Sequence, residues 1–183
     1  MTLHIGNATD PAALQAALAS APHDAIVSCL ASRTGAPTDA WAIDHAAHMH
    51  ALTAARNAGV PQMILLSALC VQRPLLAFQQ AKLAFEAALI ASGPTYSIVR
   101  PTALFKSLSG QVERVKQGKP FLLFGTGTLT ACKPISDGDL ARYLTRCLDD
   151  PVPRPSRQGG TGEDRALLRH AIHVGAEPGH RCL

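Results

Sequence analysis

Apolar runs of strand length alternate with amphipathic helical stretches along this chain. That alternation constrains it more than any other feature, because it is the pattern of a parallel sheet with helices packed on it. Ala25-Ile26-Val27-Ser28-Cys29-Leu30, Met63-Ile64-Leu65-Leu66-Ser67-Ala68-Leu69 and Thr95-Tyr96-Ser97-Ile98-Val99 are short, apolar and rich in β-formers, as strands buried on both faces are. Helix signals fall around them. Asp10-Pro11, a capping residue followed by proline at the first helical position, opens a helix through Ala12–Ala19. A long helix is predicted from Asp39 to Ala58, ended by Gly59. Another runs from Phe78 to Ala91, with Phe78, Leu83, Phe85 and Leu89 among its apolar positions, and Ser92-Gly93-Pro94 stops it.

Units in this order fold into an α/β, doubly wound Rossmann-like parallel sheet, with the binding crevice beyond the C-terminal strand ends. Those ends are Ser28–Ser32, Ser67–Cys70 and Arg100–Thr102. After Pro101 the regularity fades. Phe105–Gly118 reads as a helix over a binding face, and Phe121–Phe124 as a strand before a hairpin turn at Gly125-Thr126-Gly127, which lacks the lysine and helix of a phosphate loop. A last helix is expected over Asp137–Leu148, capped by Ser136 or Asp137. Residues 1–150 are read as one partial domain, and 151–183, rich in proline and glycine, as a divergent, poorly ordered tail.

With 47% hydrophobic and 16% charged residues, the chain can build a real core and is not of disordered composition. No apolar run approaches the roughly 20 residues of a membrane-spanning helix. The start, Met1-Thr2-Leu3-His4, lacks a secretory signal core, so a cytoplasmic location is expected. The net charge of +4 is mild and aromatics are 4%, against the basic, aromatic-laced stripe of a nucleic-acid binder; a positive cleft for an acidic small molecule accounts for it as well. The cysteines (29, 70, 132, 147 and 182) are scattered with no Cys-x-x-Cys spacing, so they read as reduced, mostly buried residues. No metal site is expected. His45 and His48 share a helix face while His50 points elsewhere, which suits a partly exposed helical histidine better than a ligand cluster.

Several longer segments carry a resemblance. They are Val27–Arg33, Leu65-Leu66-Ser67-Ala68, Phe78-Gln79-Gln80-Ala81-Lys82, Tyr96–Thr102, Phe105-Lys106-Ser107-Leu108 and Ala131–Ser136. In this order, over about residues 5–150, the chain resembles the divinyl chlorophyllide 8-vinyl reductases, atypical short-chain dehydrogenases of the NmrA-like type. The resemblance implies NADPH as hydride donor and a tetrapyrrole substrate whose vinyl group becomes ethyl, chemistry that mostly requires holding nicotinamide against a flat ring. By position, Lys82 matches the lysine of the Tyr-x-x-x-Lys motif and would bond the nicotinamide ribose. Ser67 matches the catalytic serine. Phe78 stands where the motif has tyrosine and has no hydroxyl to donate. Asn7 and the run Ser28, Cys29, Leu30, Ala31 and Ser32 would line the cofactor, with Pro101 and Thr102 flanking the nicotinamide.

The sequence departs from that family ahead of Ala25, where no Gly-x-Gly-x-x-Gly or Gly-x-x-Gly-x-x-Gly turn occurs to hold a pyrophosphate at a helix N-terminus. The sheet is therefore expected to be incomplete on its N-terminal side, lacking two βα units of on the order of 60 residues, and the Ala25 strand becomes an apolar edge. A truncated gene model or a change of frame would explain both ends of the chain. The alternatives to a working reductase are a dinucleotide-binding redox sensor and an inactive fragment.

Overall fold

The computed structural model describes residues 2–69, 71, 73–122, 134–149 and 172–174. Its centre is a sheet in the order β1 (Ile26–Ser28), β2 (Gln62–Leu66), β3 (Thr95–Pro101) and β4 (Ile172–Val174). The first three strands are parallel, with Ser28 beside Leu65 and Leu66 beside Val99. β4 lies in the stretch past residue 150 and runs antiparallel to β3. Successive strands laid in order, joined by crossovers of one hand, carry their helices on one face. Here Leu52, Phe85 and Leu89 from two helices pack with Met63, Leu65 and Ile98. The opposite face holds Ile64 and Val99 against Ile135, Leu140, Leu144 and Cys147. Helices on both faces make the sheet doubly wound, and they explain why β2 reads as an unbroken apolar run.

Helix α1 (Pro11–Ala19) starts as expected: the Asp10 carboxylate accepts from the Ala12 amide at 2.9 Å. The long helix starts two residues earlier than predicted, at Pro37, and is interrupted. α2 (Pro37–Ala40) passes into wide π turns over Trp41–Ala47 before α3 (His48–Asn57) resumes normal pitch. Gly59, at φ 68°, closes it in the left-handed conformation that a glycine C-cap supplies. α4 (Ala77–Ala91) is capped by its own Gln79, whose Oε1 accepts from the Leu75 and Leu76 amides. β3 runs two residues beyond the predicted Val99, because Arg100 finds a buried partner and Pro101 pairs through its carbonyl, needing no N–H. The binding-face helix is a 3-10 turn (Phe105–Leu108) followed by α5 (Ser109–Lys116). In α6 (Asp137–Asp149) the cap is Ser136, whose Oγ accepts from the Asp139 amide at 3.0 Å.

Other expectations are corrected. Phe121 and Leu122 are exposed and outside any strand, since the Leu122 amide bonds the Gln111 side chain; the rest of that segment, the Gly125-Thr126-Gly127 turn and Lys133 lie outside the described residues. His48 is fully buried rather than partly exposed. Cys29 is exposed while Cys147 is buried. The apolar edge expected at the first strand is present: among the described residues β1 pairs only with β2, and Val27 is 42% exposed.

Candidate functional site

Parallel strands end together at one rim, and the first turns of the following helices stand over it. Lys82 sits in the second turn of α4, and its side chain reaches from there to the end of β1. Its ammonium donates to the Leu30 carbonyl at 3.3 Å and meets Asp44 Oδ1 at 3.0 Å. Ammonium and carboxylate are both buried, with residue exposures of 5% and 1%. The second oxygen of Asp44 accepts from the Ser32 hydroxyl, and the Ser32 amide lies 3.4 Å from both oxygens. Asp39, one turn earlier, accepts from the amides of Arg33 and Thr34 and from the Thr34 hydroxyl. The loop leaving β1 is thus fastened at Ser32–Thr34 by two carboxylates of one helical stretch.

A second buried network stands beside the first. Glu86, one turn after Lys82, accepts from the Ser67 hydroxyl and pairs with the Arg100 guanidinium through both of its oxygens. The Ser67 amide bonds the Val99 carbonyl and the Leu69 amide bonds the Pro101 carbonyl, so the ends of β2 and β3 are joined along their backbones as well. Beside the Lys82–Asp44 pair lies His48, its ring 4.8 Å from that of Phe85 and its Nδ1 3.0 Å from the Ile43 carbonyl. Burial pushes the imidazole down to about 4, and the nearby Lys82 charge adds to the fall. At Cys29 burial pushes the thiol up, partly offset by Lys82.

Most of the expected site residues are gathered here. Ser28, Leu30, Ser32 and Lys82 share one end of the crevice, with Cys29 and Ala31 exposed in the same loop; Ser67 and Pro101 share the other through Glu86, Arg100 and Leu69. Thr102 follows Pro101 and is half-buried. Asn7 is not tied to them by any hydrogen bond among the described residues; it is exposed, and its side-chain oxygen accepts from the amide and hydroxyl of Thr9 just before α1. The sequence reading missed Asp44, Glu86 and His48. Glu86 carried no signal, because four residues after Lys82 it reads as half of a solvated surface pair. Asp44 carried none, because the π turns that aim it inward leave no mark in apolar spacing. No group of metal-ligating side chains occurs among the described residues.

A family model described as NAD(P)H-binding matches residues 1–151. The chain belongs to that family. Two solved structures show the same fold at low sequence identity. One is the Bordetella bronchiseptica enzyme WbmH in complex with NAD+ (TM-score 0.65, 21% identity, 79% of this chain and 55% of that one). The other is the UDP-glucose 4-epimerase of Thermotoga maritima (TM-score 0.68, 15% identity, 76% and 56%). Among curated proteins, this chain is similar to the chloroplastic divinyl chlorophyllide a 8-vinyl-reductases. It is 55% identical to that of Cucumis sativus over 149 residues, 78% of this chain and 36% of that protein. It is 56% identical to that of Arabidopsis thaliana over 148 residues, 76% and 36%. The chain thus spans about a third of the length of these relatives. Their names also overturn the cytoplasmic expectation and point to the plastid. The lack of a secretory core in the first residues had no bearing on plastid delivery, which uses amphipathic, arginine- and serine-rich leaders. No helix among the described residues is long and apolar enough to cross a membrane.

Proposed function

We propose that this chain forms the nicotinamide-side part of an NADPH-dependent reductase that converts the 8-vinyl group of a divinyl chlorophyllide to ethyl. One observation carries the reading: identity of 54–56% to four reductases of that name, across the segments that build the Lys82 rim. The residues present suit the nicotinamide end of the cofactor. An ammonium has three N–H donors, and among the described residues Leu30 and Asp44 engage two, leaving one for a ribose hydroxyl. The Ser28 hydroxyl is buried at the end of β1 with no hydrogen-bond partner among the described residues, a polar atom that a bound amide or hydroxyl would satisfy. NADPH, when bound, supplies the hydride; the vinyl carbon pair also needs a proton.

The chain's own residues limit where that proton comes from. Phe78 has none to give. The Ser67 proton is donated to Glu86 inside the fold, which favours a role for Ser67 in holding the β2 end in place over direct donation. Fluorescence titration of the purified 183-residue chain with NADPH tests the reading. Saturable binding at micromolar levels, weakened on the order of tenfold by Lys82→Ala, is expected; no binding, or binding indifferent to Lys82, would refute it. A non-catalytic NAD(P)H-binding sensor is the second reading, and Phe78 does not divide the two, since the resemblance implies phenylalanine at that position in the reductases as well. Formation of the ethyl product from divinyl chlorophyllide and NADPH separates the two.

A further inference from the structure

Lys82 does not present a bare charge to the crevice. Asp44, from the π turns of the preceding helix, reaches it at 3.0 Å and divides its oxygens between that ammonium and the Ser32 hydroxyl. Wide turns of this kind are often found where a helix serves a site. We propose that Asp44 is the positioning residue of the crevice. Its carboxylate holds the Lys82 ammonium in register with the loop Cys29–Ser32 and cancels its charge, so that Lys82 acts as a hydrogen-bond donor to the nicotinamide ribose and not as a source of positive potential. The inference rests on the reading of the crevice as the nicotinamide site. A buried ion pair projects a dipole, and its field falls off faster than that of a lone cation. The hydroxyl that a lone cation would acidify is missing, because Phe78, one turn before Lys82, carries none. One carboxylate also grips both sides of the crevice, α4 through Lys82 and the β1 loop through Ser32.

Two substitutions separate charge from shape. Asp44→Asn keeps the shape and removes the charge; Asp44→Glu keeps the charge and adds a methylene. If charge is what holds Lys82, its acylation by acetic anhydride, read by peptide mass spectrometry at fixed pH, rises about tenfold in the Asn variant and stays near the parent rate in the Glu variant. NADPH affinity falls in the Asn variant and stays near that of the parent in the Glu variant. The reverse ranking, with Asn like the parent and Glu worse, assigns position 44 to packing and overturns the proposal. Should Asp44→Asn be too unstable to assay alone, Asp44→Asn combined with Lys82→Met is expected to melt above the single variant, because no unpaired ion is left buried; a double variant that shows only the sum of the two losses overturns the proposal equally. Failure of the parent chain to bind NADPH would sink the reading of the crevice, while the acylation ranking would still decide the role of Asp44.

Discussion

Lys82 and Glu86 stand four residues apart on α4, a spacing at which opposite charges on a helix surface pair with each other. Here each turns away from the other, to Asp44 and to Arg100, and both are buried. Removing one member of such a pair strands the other: Glu86→Ala leaves the Arg100 guanidinium unpaired and is expected to cost about 3–5 kcal/mol in chemical denaturation. His48 sets a pH dependence of its own. Its folded value, about 4, lies below the 6.5 of an ordinary imidazole, so the unfolded chain binds the proton more readily. Stability is therefore full above about 6.5 and falls as the pH drops toward 4, by up to roughly 3 kcal/mol in all. Asp39 and Asp139 act in a separate window. Thr34 holds the Asp39 carboxyl below its ordinary value, and Ser136 with Arg142 does the same for Asp139. Their contribution is present above pH 3.8 and lost below it. Urea unfolding of His48→Leu should show a shallower slope between pH 6.5 and 4 than the parent; an unchanged slope would place the titration elsewhere.

At the scale of elements, α1, β2, α4 and α6 were legible because each is fixed by local chemistry: Asp10-Pro11, an unbroken apolar run, Ser92-Gly93-Pro94, and Ser136 before an acidic first turn. The π segment was not. Trp41–Ala47 carries no proline or glycine to announce a change of pitch, and it exists where tertiary contacts draw Asp44 and His48 inward. The site was legible to the same degree. Strand ends are readable, so Ser28 and Pro101 were placed at the ends of β1 and β3, while Asp44 and Glu86, which pair with Lys82 and Arg100 there, come from a widened helix and from a helical position that reads as solvated. Gly59 offers a test at this scale. A side chain there meets no neighbour, yet the left-handed backbone at φ 68° remains strained. Gly59→Ala is expected to cost about 1 kcal/mol in thermal unfolding, through α3 closure alone.

At the scale of the molecule, buried ion pairs gather where parallel strands end, and among the described residues β1 pairs on one side only. Two hydrophobic layers hold β2 and β3 from opposite faces, and neither layer includes Lys82, Asp44, Glu86 or Arg100. The crevice is built instead from buried ion pairs, which favour one geometry at little net gain in stability. The proposed function requires that cofactor bind at the C-terminal strand ends with its nicotinamide ribose on Lys82. A crystal structure of the chain grown with NADPH tests this most directly. A ribose hydroxyl is expected within hydrogen-bonding distance of Lys82 Nζ, beside the Leu30 carbonyl and the Ser28 hydroxyl. Nucleotide bound at the other end of the strands, or at the rim with Lys82 still directed only at Asp44 and Leu30, would contradict it.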